Sequence, residues 1–236
     1  MIEFRGVTKV FGTGATTVRA VDNLSFVCPQ GSFWSVMGPS GAGKSTVLHL
    51  VAGLTAPTSG RVFVDGQDVS ALPDAEMATL RRRRIGYVLQ SFNLMPFLTA
   101  ADNVAMPLVL DGVRRREIKT RVAEALDLVQ MSHRATHDPA HLSGGEQQRI
   151  AIARALAIRP GIVLADEPTG NLDRTSGRAV MDLIQDVNER TGVTVLLVTH
   201  DPVFAAFAQR ILQLVDGGLE HDLELTRRAA ADGSQR

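Results

Sequence analysis

The sequence predicts an α/β fold: a parallel-sheet core that carries an antiparallel β portion near its start and an inserted all-helical portion near its middle. Three observations predict it. Ile162 to Ala165 and Thr194 to Val198 are continuous apolar runs around a helical stretch from about Thr175 to Glu189, the pattern of parallel strands covered on both faces. Residues 2 to 28 alternate apolar with polar positions, as in Leu24, Phe26 and Cys28 against Asn23 and Ser25, which suits antiparallel strands with one wet face. From Thr99 to Pro160 the apolar spacing is helical and no convincing strand interrupts it.

Taken in order, the first strands turn around Gly12 to Gly14. Ser32 to Met37 is a short strand that runs into a glycine loop, and Val47 to Leu54 continues at helical spacing, so this unit reads strand, loop, helix. Arg61 to Asp65 and Ile85 to Gln90 are further strands, separated by a helix from about Pro73 to Arg83, with the proline in the first turn where its missing amide hydrogen costs nothing. In the helical portion, Ile118, Val122, Leu126 and Val129 share one face and Glu117 with Arg121 forms an i,i+4 pair. Ile211 to Val215 and Leu219 onward read as a hairpin around Asp216-Gly217-Gly218, followed by a charged tail from about Asp222. The layout is one domain over residues 1–225: sheet-bearing segments 1–91 and 159–221, a helical part 92–158, and a tail 222–236.

With 236 residues the chain can bury a substantial core. Lys plus Arg number 25 and Asp plus Glu 25, so no net field draws nucleic acid or an anionic membrane, and no nucleic-acid partner is expected. One cysteine excludes an internal disulfide and suits a reducing compartment. The uncharged stretches 23–43 and 85–101 are broken by Gly, Pro and Asn, and neither reads as a membrane span. The start, Met1 to Arg5, lacks the features of an export signal. A cytoplasmic protein without direct membrane insertion is expected, any membrane role coming through a partner.

Three motifs carry chemistry. Gly38-Pro39-Ser40-Gly41-Ala42-Gly43-Lys44-Ser45 fits the phosphate-loop pattern GxxxxGK[ST], after a strand and opening a helix. Glycines there let backbone amides close around phosphate oxygens, Lys44 reaches the β- and γ-phosphates and Ser45 offers a hydroxyl to Mg²⁺. The loop alone leaves kinase, GTPase and ATPase open. Asp166, ending a buried strand, is placed to hold Mg²⁺ through water, and Glu167 beside it to take a proton from water attacking the γ-phosphate. In Leu142-Ser143-Gly144-Gly145-Glu146-Gln147-Gln148-Arg149, Ser143 with Glu146 is a capping box. It leaves the helix-weakening pair Gly144 and Gly145 unexplained, unless their amides meet a negative group such as a γ-phosphate.

The order phosphate loop, Gln90, LSGGEQQR, LADEPTGNLD and His200 resembles the nucleotide-binding subunits of ABC transporters over about residues 2 to 220. Ser91-Phe92-Asn93-Leu94 and Pro168-Thr169-Gly170-Asn171-Leu172-Asp173 look most like the LolD/MacB/FtsE branch, whose members serve lipoprotein release, antibiotic or peptide export, or force relay to cell-wall hydrolases. The resemblance implies a P-loop NTPase with a RecA-like core, ATP and Mg²⁺ as ligands, a homodimer, and an integral membrane permease on whose cytoplasmic side the subunit sits. Phe11 matches an aromatic that stacks on adenine, and the loop through Thr46 matches the triphosphate cradle. Gln90 matches a residue that reaches Mg²⁺ and the attacking water, Asp173 a loop that crosses the dimer interface, and His200 a histidine that contacts the γ-phosphate. Ser143 and Gly145 are expected to close on ATP held by the other subunit, so each site is completed in trans.

Rival readings remain at the level of sequence: a non-transport ABC ATPase pulling on a cell-wall hydrolase through a membrane partner, a soluble DNA-repair or translation ATPase of the same superfamily, and a small-molecule kinase. His133, His137 and His141 recur at helical spacing, but Pro139 interrupts the series and argues against three aligned metal ligands. Trp34 and Cys28 fall at strand positions where packing explains them.

Overall fold

The computed structural model describes residues 1–225. The chain runs β1 (Ile2–Phe11), β2 (Val18–Cys28), β3 (Phe33–Met37), α1 (Lys44–Val51), β4 (Ser59–Val64), β5 (Gln67–Asp68), α2 (Asp74–Arg84) and β6 (Ile85–Leu89). Three helices follow, α3 (Ala100–Leu110), α4 (Arg115–Leu128) and α5 (Gly144–Ala157). It ends with β7 (Ile162–Asp166), α6 (Arg174–Thr191), β8 (Thr194–Thr199), α7 (Pro202–Ala205), β9 (Arg210–Val215) and β10 (Gly218–Glu224).

One sheet has the order β2-β1-β4-β5, all antiparallel; the other has the order β10-β9-β3-β8-β7-β6, parallel except for the β9–β10 hairpin. The apolar runs of β7 and β8 feed two cores, one on each face of the larger sheet. Val163, Ala165, Val195 and Leu197 pack with α3, α4, α5 and α6, whereas Ile162, Leu164, Leu196 and Val198 pack with α1, α2 and the antiparallel sheet. Successive side chains of a strand point to opposite faces, so an unbroken apolar run is what a doubly covered strand needs. Trp34 and Cys28 are both buried in the second core, where Trp34 lies 6.1 Å from Phe26 between ring centroids.

Several expected boundaries move. Pro73 is the N-cap of α2 rather than a first-turn residue. The turn after β1 contains a short 3₁₀ turn, Gly14–Thr16. The tail does not begin at Asp222: residues 222–224 extend β10 against Leu212, Ile211 and Arg210, and Arg210 grips Asp222 with two hydrogen bonds of 2.5 and 2.8 Å. An edge strand with exposed polar side chains carries no apolar alternation, which is why its pattern reads as tail. The remainder of that expected tail, 226–236, lies outside the described residues. The β9–β10 turn has positive φ at Asp216 (47°) and Gly217 (81°), the conformation that an Asp-Gly pair supplies to tight hairpins.

Candidate functional site

The site is built on the C-terminal ends of neighbouring parallel strands, where open α/β sheets place their ligand crevices. β3 stops at Met37 and α1 starts at Lys44, so the glycine loop joins a central strand to a helix N-terminus. Gly43 is the N-cap, in a left-handed conformation (φ 90°), and no side chain caps the helix. The first intrahelical bond runs from the Val47 amide to the Gly43 carbonyl, which leaves the amides of Lys44, Ser45 and Thr46 directed outward without a helical acceptor. A Cβ on Gly43 would lie 1.9 Å from the Ala20 carbonyl oxygen, and one on Gly38 would lie 2.3 Å from that of Leu214. Backbone therefore closes on backbone around the loop, a cradle that side chains would fill. The Lys44 ammonium donates to the carbonyls of Gly38 and Pro39, at 2.9 and 2.8 Å.

At the end of β7 the Ser45 hydroxyl donates to Asp166 Oδ1 at 3.0 Å. Burial pushes the Asp166 carboxyl above its ordinary value, against the lowering effect of the Ser45 hydrogen bond. Glu167 follows in the left-handed region (φ 45°), with its amide donating to the Val198 carbonyl at 2.9 Å. A glutamate held there carries backbone strain of about 1–3 kcal/mol. The turn swings its side chain towards β8, where His200 Nδ1 donates to Glu167 Oε2 at 2.9 Å. Because a carboxylate only accepts, the proton is assigned to Nδ1.

Gln90 stands one residue beyond β6 and meets Asn171 twice: its Nε2 donates to Asn171 Oδ1 at 3.3 Å, and Asn171 Nδ2 donates to the Gln90 carbonyl at 3.1 Å. A Cβ on Gly170 would come within 2.6 Å of Gln90 Nε2, so that glycine leaves room for the side chain. Ser40, Ser45, Gln90, Asp166 and Glu167 share a cleft of about 500 Å³. Glu167 and His200 share an adjoining cleft of about 300 Å³ with Thr169, Gly170 and Phe204.

Other expected site residues lie apart from these clefts. Ser143, Gly144, Gly145 and Glu146 line neither of them. They form the tip of α5, where the capping box is complete: the Ser143 amide donates to Glu146 Oε2 at 2.8 Å and the Glu146 amide to Ser143 Oγ at 3.3 Å. Here the structure adds a packing reason for one of the glycines: a Cβ on Gly144 would meet the Leu172 side chain at 3.2 Å, a tight approach, whereas one on Gly145 would lie 3.4 Å from Ser176, an ordinary contact. Asp173 is the N-cap of α6, accepting from the amides of Thr175 and Ser176 at 2.9 and 3.0 Å; the Ser176 hydroxyl foremost, and then these amides, hold its carboxyl below the ordinary value. Phe11, 43% exposed at the end of β1, has the Lys9 ammonium 4.7 Å from its ring centroid. It reaches the phosphate loop only through the next strand, pairing with Val18, two residues before the Ala20 that touches Gly43.

Three further residues take part that the motifs leave without a role: Asn171; Gln148, which is fully buried and donates to the Leu89 carbonyl at 3.2 Å; and Arg134, which donates to Glu146 at 3.0 Å. Gln148 had a signal: it is a polar residue on the inward face of an apolar helix. The other two pairings join distant segments and left none. His137 and His141 turn to Arg134 and Asp138, respectively.

The family model for ABC transporters matches residues 21–170, more than half of the chain. The chain belongs to the ABC transporter family. A solved dimer from Methanocaldococcus jannaschii, a post-hydrolysis state of the ATP-binding cassette MJ0796 bound to ADP and Pi, superposes with a TM-score of 0.86 at 42% identity, covering 96% of this chain and 100% of that one. The lipoprotein-releasing system ATP-binding protein LolD of Geobacter metallireducens is 43% identical over 94% of this chain and 99% of its own. The methionine import ATP-binding protein MetN of Chromohalobacter salexigens is 44% identical over 95% of this chain and 65% of its own. The fold is the ABC ATPase cassette, and the chain is an ATP-binding ATPase of that family. Among the described residues no helix is long and apolar enough to cross a membrane.

Proposed function

We propose that this ATPase works as a homodimer that closes over two ATP molecules and drives a membrane permease of the lipoprotein-release or macrolide-or-peptide-export type, from the cytoplasmic face of the membrane. One observation carries the reading. The Ser45–Asp166 pair, 3.0 Å, sits in a cleft that Ser40 of the phosphate loop also lines, the Glu167–His200 pair, 2.9 Å, in a cleft that shares Glu167 with it, and the Ser143 tip lines neither. In this reading a single copy supplies the phosphate and water positions, and the second set of glycine amides comes from its partner.

In this mechanism the outward amides of α1 and the Lys44 ammonium bind the β- and γ-phosphates. Phe11 stacks on the adenine, a contact worth about 1–3 kcal/mol per base. Glu167 takes the proton of the attacking water, and His200 fixes the carboxylate and meets the γ-phosphate. Gln90 orients the water from the opposite wall. Ser45, Asp166 and Gln90 present hard oxygen donors that fit Mg²⁺, and the raised Asp166 carboxyl is a group that a cation would favour in its ionised form. Mg²⁺ bound there supplies charge neutralisation of the phosphates.

Asp173 and the Ser143 tip, side by side through Leu172 and Ser176, would face the partner copy. For the permease, Met95 and Phe97 expose 42% and 84% of their surface just beyond Gln90, an apolar landing for a cytoplasmic helix. The cargo class rests on the wording of the Ser91 to Leu94 and Pro168 to Asp173 segments, since relatives named for lipoprotein release and for methionine import stand at nearly equal identity.

Glu167→Gln tests the reading. Turnover should fall by about 10²–10⁴-fold while ATP binding persists, and ATP should drive the variant into a dimer on size-exclusion chromatography. Unaltered hydrolysis removes Glu167 from the base role, and a monomer at saturating ATP removes the closing dimer.

A further inference from the structure

We infer that Arg134, held by His137, is a positioning residue that neutralises Glu146 so that the α5 tip can receive a triphosphate. The inference rests on the proposed meeting of that tip with ATP. A capping box satisfies the amides of the N-cap and of the third helical residue, here Ser143 and Glu146, leaving those of Gly144 and Gly145 for a ligand. Here the box is closed by a carboxylate, which places a full negative charge at a tip that must accept phosphate oxygens. Glu146 Oε2 is taken by the Ser143 amide at 2.8 Å, and Arg134 Nε donates to the other oxygen at 3.0 Å. The guanidinium thus removes the net charge without competing for the capping bond.

Arg134 is itself fixed from behind. Its Nη1 lies 3.2 Å from His137 Nε2. A guanidinium only donates, so Nε2 accepts and the ring proton belongs on Nδ1, an atom buried without a partner among the described residues. That arrangement keeps the ring turned towards Arg134. The segment is also pinned along its backbone: the Ala101 and Ala100 amides at the start of α3 donate to the carbonyls of Ala135 and His137 at 2.9 and 2.8 Å. Buried Met131 and Pro139 anchor it on either side. Arg134 therefore meets Glu146 in a preset geometry rather than by a chance encounter of two surface chains.

The Arg134 and Glu146 side chains are 37% and 25% exposed, so the pair adds little to folding stability. Its effect falls on what the tip binds, and this separates positioning from a structural role. In the Glu167→Gln background, ATP-dependent dimerisation followed by analytical ultracentrifugation should weaken about tenfold in Arg134→Met, the scale of one charged hydrogen bond. Monomer affinity for ATP and Tm should stay close to the parent. Arg134→Lys, which keeps the charge, should recover most of the association.

In a Glu146→Gln background the same Arg134→Met change should cause no further loss, because no charge remains to neutralise. Equal losses in both backgrounds, no loss with Glu146 present, or a Lys variant no better than Met overturns the inference. Should Arg134→Met not fold, Arg134→Gln takes its place in every arm. A Glu167→Gln parent that stays monomeric with ATP overturns the dimer reading and this inference with it, whereas a dimer indifferent to Arg134 overturns this inference alone.

Discussion

Two helix N-termini in this molecule carry the same kind of sequence, glycine beside a polar residue, and solve the problem of their first-turn amides in opposite ways. At α1 the N-cap is Gly43 and no side chain closes the helix. At α5 Ser143 and Glu146 close it from both sides. The open end leaves its amides unclaimed, which the proposed mechanism gives to ATP of its own chain, and it depends on backbone contacts for its shape. The closed end is capped by its own side chains and leaves the two glycine amides over, which the proposed mechanism lends to the partner's ATP.

Breaking the open end should have the largest effect. Gly43→Ala places a Cβ 1.9 Å from the Ala20 oxygen on a backbone with φ 90°, so the loop must unfold or β2 must move. ATP binding by isothermal titration should be lost, along with at least about 1–3 kcal/mol of stability from the left-handed backbone alone. Wild-type affinity in this variant would mean that the loop does not need its contact with β2. At the closed end, Ser143→Arg should stop turnover while leaving monomer affinity for ATP within about threefold of wild type, the change expected when no direct contact is removed. A large loss of monomer affinity would place both ends in one site of one chain.

The smallest effect concerns pH. The Ser143 amide, aided by Arg134, holds the Glu146 carboxyl below its ordinary 4.5. A group whose folded pKa is lowered contributes stability above its unfolded pKa and loses it as pH falls through the folded one. Thermal melts from pH 6 downward should therefore show Glu146→Gln losing less stability than wild type in the acid limb below 4.5. Parallel curves would mean that the closed end is held by Ser143 alone.

The contrast also shows what sequence can display. Both N-termini were legible because caps and glycines act within four residues of one another. Asp166 and Glu167 were legible because they end an apolar run. The Gln90–Asn171 pair and the Arg134–Glu146 pair were not, since each joins segments that only the fold brings together. The same holds for β5, two residues long and kept by its ladder with β4. Four-residue α7 is too short for any period, although Asp201 as its N-cap and Pro202 in its first turn were local signs of a start.

The apolar cluster beneath α3, α4 and α5 continues without a gap into β6, β7, β8 and α6. A segment that shares its interior in this way is expected not to fold by itself. Cut out as residues 92–158 it would expose half of a common interior to water, and limited proteolysis of the intact chain should yield no surviving fragment of that span. Any rotation of these helices relative to the sheet must slide interdigitated side chains past one another, which makes it a shear between tightly packed layers and not the swing of a hinge.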